Sequence, residues 1–207
     1  MAWHAEYDDP SSALSGRLHR VRAHLRRAID DAPAGRVRLL SLCAGQGRDV
    51  IGMLPGHPRR AEVEAVLVEL DEDNVASARR GAQAAGLSQV QVRRADAGRV
   101  TSFADALPAD ILLLCGIFGN VSPEDIQRTA RAAPALCAAG ATVIWTRHRR
   151  PPDLTPDIRA WFAASGFTEI AFDALDNATL TGIGVGRLWQ VPAASLPGEP
   201  LFTFRPA

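Results

Sequence analysis

A chain of 207 residues with 47% apolar and 22% charged side chains can bury one sheet between helix layers, and its composition excludes a disordered or fibrous protein. Its 23 basic residues, all arginine, balance 23 acidic ones, so the net charge asks for neither nucleic acid nor a membrane surface as partner. Cys43, Cys115 and Cys137 are odd in number and lack metal-ligand spacing, which points to reduced, buried thiols and no metal site.

The opening segment MAWHAEYDDPSS is polar, without the apolar core of a secretion signal, and the longest apolar run, ILLLCGIFG, falls far short of the roughly 20 residues that span a bilayer. We therefore expect a cytoplasmic protein. Trp3, His4 and Tyr7 in this segment are candidates for a lid over a ligand. Between Asp9 and Asp30, Leu14, Leu18, Val21, Leu25 and Ile29 recur every three or four positions and predict a helix, with Asp9, Ser11 or Ser12 as its cap. Arg17, Arg20, Arg22, Arg26 and Arg27 read as its solvated faces. Residues 1–34 are expected to form this lid and helix, and residues 35–207 the core of the same single domain.

From there short apolar runs alternate with amphipathic stretches. VRLLSLC, VEAVLVEL, VQVRRA, ADILLLCGIF and ATVIWTR predict five strands, near-continuously apolar as strands covered on both faces must be. RDVIGML, DEDNVASARRGAQAAG and SPEDIQRTARAAPALCAAG predict the helices between them, the last capped by Ser122. The helix TPDIRAWFAASG and the strands FTEIAFDAL and TGIGVGRLWQV follow, the last antiparallel because too little chain precedes it for a crossover. The expected fold is an α/β, Rossmann-like doubly wound sheet of seven strands, mostly parallel, with helices on both faces and a C-terminal antiparallel β-hairpin. The tail PAASLPGEPLFTFRPA is expected to lie extended on the body.

In such a sheet ligands bind beyond the carboxyl ends of the strands, where AGQGRD lies. A phosphate loop of the GxxxxGK[ST] type needs a lysine, and the chain has none. A dinucleotide loop needs a third glycine where Val50 stands, which disfavours a nicotinamide dehydrogenase. Glu69 ends the second strand, 24 residues after Gly45, where a carboxylate can accept both hydroxyls of a ribose. Leu70 follows it, placed to lie against a base, and Asp96 ends the third strand, placed to accept from an exocyclic amine. Together these suggest a nucleoside ligand without a pyrophosphate.

The series LCAGQGRD, VELDEDN, RRADA and ADILLLCGIFGN, from Val37 to Trp145, resembles the successive motifs of the class I S-adenosylmethionine-dependent methyltransferases. The resemblance implies S-adenosylmethionine as cofactor. It places Gly45 and Gly47 against the methionyl part, with Cys43 and Ala44 in the same turn and Cys115 and Gly116 at the methionine moiety. It also places Glu69 on the ribose, Asp96 on the adenine amine and the Ala97 backbone N–H on a ring nitrogen. GIFGN departs from the Asp/Asn-Pro-Pro-aromatic tetrad of one amino-methylating branch. Glu124 and Asp125 read as the first turn of a helix rather than a metal cluster.

For the acceptor, Trp3, Tyr7, Phe118 and Arg147 are the candidate contacts, with His148 first and His4 second as a base for a hydroxyl or protonated amine. Methyl transfer to an oxygen, nitrogen or carbon of a small molecule is the expected function, with no membrane and no nucleic acid among the expected partners and a homodimer left open. Two alternatives stay open: an RNA or protein methyltransferase using the Arg-rich first helix, and a module that binds S-adenosylmethionine without transferring its methyl group.

Overall fold

The computed structural model describes residues 9, 12–176, 178–189, 196, 198 and 200–204. Seven strands, β1 (Val37–Leu42), β2 (Val63–Glu69), β3 (Val90–Arg94), β4 (Ala109–Leu114), β5 (Cys137–His148), β6 (Phe167–Leu175) and β7 (Thr181–Leu188), form one sheet. The order is β3-β2-β1-β4-β5-β7-β6. The first five are parallel, and β7 runs antiparallel between β5 and β6, as its short connection requires. The order reverses between β1 and β4, so the crevice of a doubly wound sheet opens at their carboxyl ends.

Helices α1 (Ala13–Asp30), α2 (Arg48–Met53) and α3 (Glu72–Ala84) cover one face, while α4 (Pro123–Leu136) and α5 (Thr155–Ala164) cover the other. On the first face Val21, Leu25, Val50, Val75 and Ala78 pack on Leu39, Leu67 and Ile111. On the second, Ile126, Ala130, Ala133, Ile158 and Phe162 pack on Leu40, Leu112 and Val143. Of the three cap candidates, Ser12 accepts from Ser15 N at 3.0 Å and so starts α1. Ser122 and Asp71 cap α4 and α3 in the same way. Among the described residues no helix is long and apolar enough to cross a membrane.

The boundary between the fourth helix and the fifth strand differs from the sequence expectation. The helix expected to run through Gly140 stops at Leu136, and β5 begins at Cys137. Pro134 weakens the last turn, and Cys137 pairs with Ala109 of β4, so the chain passes there from helix into sheet.

The helix α1 is held across the sheet by polar contacts at several points along its length. The Arg22 guanidinium donates to Arg48 O through Nε (3.1 Å) and Nη2 (2.6 Å), and His24 Nε2 meets Asp173 Oδ2 of β6 at 2.8 Å. At its C-terminal end, Arg59 donates to the carbonyls of Ile29 in the last turn and of Ala32 and Pro33 just beyond it.

Glycines ordinarily weaken a strand, but Gly182, Gly184 and Gly186 alternate along β7 and leave one side of it flat. Aromatic rings lie on that side: Phe172 over Gly182, Trp145 over Gly184 and Phe167 over Gly186. Trp145 in turn stacks on Phe162, their planes 7° apart and centroids 6.2 Å apart. A methyl group at position 184 would fall inside the Trp145 indole. Gly184→Ala should therefore lower stability by roughly 1 to 3 kcal/mol or more in chemical denaturation. Gly16→Ala, on an exposed stretch of α1 with open space around it, should raise stability by roughly 0.5 to 1 kcal/mol. Equal effects of the two would contradict this packing.

Candidate functional site

Beyond Leu42 the chain turns through Cys43 (φ 54°), Gly45 (φ 56°) and Gly47 (φ 66°), three left-handed residues within five. The two glycines serve different ends. A Cβ on Gly47 would lie 2.7 Å from Leu67 Cδ2 and 2.8 Å from Ile51 Cδ1, so glycine here lets the loop pack onto β2. A Cβ on Gly45 would meet nothing within 4 Å. Gly45 instead leaves its space to a cavity of about 750 Å³, within the range of small-molecule sites.

Glu69 ties the loop to the next strand end. Its Oε2 accepts from Gly45 N at 2.7 Å, and its Oε1 accepts from Leu70 N and Asp71 N, both at 2.9 Å. A carboxylate offers about four lone-pair sites, so about one remains for a ligand hydroxyl rather than the pair that the sequence suggested. Asp71 continues the arrangement by accepting from Asn74 N at 2.8 Å as the cap of α3.

After β3, Asp96 Oδ1 accepts from Gly98 N at 2.8 Å, a self-closing turn that holds the carboxylate at the cavity wall beside Ala97. After β4, Gly116 (φ 77°) donates its N–H to Thr146 Oγ1 at 3.0 Å and accepts from Asn120 Nδ2 at 2.8 Å. A Cβ on Gly116 would again meet nothing within 4 Å.

Charges are distributed unevenly over the wall. Glu69, Asp71 and Asp96 stand at the ends of β2 and β3. Asp49 and Arg17, from α2 and α1, line another part of it. Asp49 is buried and accepts from Val50 N at 2.8 Å; burial pushes its carboxyl above the usual carboxylate range, partly offset by that amide and by Arg22 and Arg17. Burial also raises both wall thiols, Cys43 with help from Glu69 and Asp96, and Cys115 to about 12 with help from Asp49. Neutral thiols are poor nucleophiles, so neither is equipped for covalent catalysis.

Of the residues expected at a cofactor, Cys43, Ala44, Gly45, Glu69, Leu70, Asp96, Ala97, Cys115 and Gly116 all line this cavity. Gly47 does not, because its missing side chain faces Leu67 and Ile51.

The residues expected at an acceptor fare differently. Phe118 is fully buried, its ring 6.2 Å from that of Trp145 and 6.3 Å from that of Phe162. Arg147 is buried too and donates to the carbonyl of Phe118. His148 stands behind Gly119, outside the wall, with its imidazole pKa lowered by burial and by Arg147 and Arg150. The left-handed turn at Gly116 redirects the chain after β4, so Phe118 enters the core instead of the crevice. Trp3, His4 and Tyr7 lie outside the described residues.

The wall also contains residues that sequence reasoning passed over. Leu14, Leu18 and Val21 were legible only as the core stripe of α1, and Arg17 only as part of its solvated faces. Asp49 lies in the first turn of α2, and it also reaches the cavity. Ser41, Asn120 and Phe204 of the tail also line the cavity.

No protein-family model matches the chain, and no curated protein matches it by sequence. Solved structures do match by shape. The magnesium protoporphyrin IX methyltransferase of Synechocystis PCC 6803 with bound S-adenosylmethionine superposes with TM-score 0.69 at 15% identity, over 89% of this chain and 88% of that one. An O-methyltransferase family protein from Burkholderia thailandensis gives TM-score 0.61 at 14% identity, over 90% and 62%. An RNA methyltransferase from Salinibacter ruber in complex with S-adenosyl-L-homocysteine gives 0.53 at 21%, over 84% and 93%. With its seven strands in the order found and its crevice at the ends of β1 and β4, the chain has the Rossmann-like fold of the class I S-adenosylmethionine-dependent methyltransferases.

Proposed function

We propose that the chain is an S-adenosylmethionine-dependent methyltransferase acting on a small molecule. One observation carries this reading: a single cavity gathers an open glycine after β1, a carboxylate after β2, a carboxylate after β3 and an open glycine after β4. Such a set suits a nucleoside joined to an amino acid. Glu69 would take a ribose hydroxyl, Asp96 the adenine amine, and Gly45 and Gly116 would admit the methionine chain. Arg17 and Asp49 offer a cation and an anion for its carboxylate and ammonium.

Bound there, the cofactor supplies a methyl group already activated on a sulfonium. The chain's own part is to orient the acceptor and exclude water. Helix α1 does the second with Leu14, Leu18 and Val21, held in place by Arg22 and His24. We assign no base to the protein, since His148 lies outside the wall and positioning suffices for an activated methyl. A small acceptor is supported by the cavity's volume of about 750 Å³, within the range of small-molecule sites. A cytosolic setting fits three free thiols, two of them in the site.

Calorimetry with S-adenosylhomocysteine, 5′-methylthioadenosine and the two nicotinamide dinucleotides tests the reading. Binding of the first two is expected, whereas binding of a nicotinamide dinucleotide alone would overturn it. Asp49→Asn should weaken S-adenosylhomocysteine by about 1.5 to 3 kcal/mol, the worth of a hydrogen bond to a charged group, and leave 5′-methylthioadenosine, which lacks the amino acid, unchanged.

The same variant makes a pH prediction. Because the folded carboxyl binds its proton more tightly than the unfolded one, its favourable contribution is present below the usual carboxylate pKa and lost as pH rises through the raised value. In the absence of ligand, Asp49→Asn should melt above the wild type at pH 8, and the gap should close as pH falls toward 4. A lower melting point at pH 8 would show that Asp49 stabilises the unliganded fold instead.

A further inference from the structure

We propose that the C-terminal tail completes the nucleoside end of the cavity, with Phe204 as the aromatic plate on which the purine stacks; this rests on the cofactor reading above. The tail does more than lie on the body. Leu201 N donates to Gly98 O at 2.8 Å, and Leu201 O accepts from Thr129 Oγ1 at 3.0 Å and Arg128 Nε at 3.3 Å. Thr203 N donates to Asp125 Oδ2 at 2.9 Å. Leu201 and Phe202 are buried, and the Phe202 carbonyl occupies the place where a side chain on residue 98 would stand, so Gly98 admits the tail.

This anchorage delivers Phe204 to the cavity wall, in the same lining as Asp96 and Ala97. Its ring meets that of Phe202 at 5.8 Å and 86°, which sets its plane while leaving the side chain 46% exposed. Leu70, 66% exposed, lies in that lining too. Two large apolar side chains left in water from distant parts of the chain, in one lining with a carboxylate able to accept an exocyclic amine, match a flat heteroaromatic base.

The full chain with Phe204→Ala tests this, because the buried Leu201 and Phe202 side chains and the hydrogen bonds of Leu201 and Thr203 anchor the tail without the exposed Phe204 ring. Calorimetry should show about tenfold weaker binding of both S-adenosylhomocysteine and 5′-methylthioadenosine, with an unchanged melting point and recovery in Phe204→Trp. The equal loss for the two ligands locates the contact on the thioadenosine they share, in contrast to Asp49→Asn, and recovery in Phe204→Trp assigns it to stacking on the base. Wild-type affinity for both ligands in Phe204→Ala would overturn the proposal while leaving the cofactor reading intact. A wild type that binds neither ligand would overturn the cofactor reading itself.

Discussion

Three backbone N–H groups converge on the carboxylate of Glu69, one from Gly45 in the first loop and two from Leu70 and Asp71 at the entry to α3. A carboxylate accepting several amides forms charge-assisted hydrogen bonds, stronger than those between neutral groups. It therefore couples the loops after β1 and β2 into one unit. The left-handed run from Cys43 to Gly47 can keep its form because Glu69 holds one side of it and Leu67 packs under the other. With those two loops fixed, the neighbouring strand ends bring Asp96 and Gly116 to the same cavity. The half-buried carboxylate thus has a structural task as well as any task toward a ligand.

The second wall depends on α1. Its apolar stripe serves both the core, through Leu25 and Ile29, and the cavity, through Leu14 and Leu18. Arg22 and His24 fasten the helix to α2 and β6, so on this side the wall is held by packing and hydrogen bonds. The stacked aromatics on the glycine side of β7 steady the far end of the sheet, where β5 carries Thr146, the hydroxyl that holds Gly116.

Much of this was legible in the residues. Apolar runs marked all seven strands, and β6 begins and ends where FTEIAFDAL does. The antiparallel direction of β7 followed from the length of chain before it. The cavity wall beyond the sheet was legible because it is built at strand ends, which periodicity locates. What escaped depends on direction and distance. Periodicity does not reveal which way a turn residue's absent side chain faces, so Gly45 and Gly47 looked alike. It does not show where a chain heads after a left-handed glycine, so Phe118 and Arg147 looked accessible. Nor could the apolar pair of the tail reveal that Asp125 and Gly98, far away in sequence, would seat it beside Asp96.

The orientation of the ligand is the central claim, and a crystal structure with S-adenosylhomocysteine bound tests it most directly. The account predicts the adenine between Leu70 and Phe204 with its amine on Asp96, the ribose at Glu69, and the amino acid running past Gly45 toward Arg17 and Asp49. The sulfur should then face Leu14 and Leu18. Electron density in the reverse orientation, or anywhere other than this cavity, would contradict it.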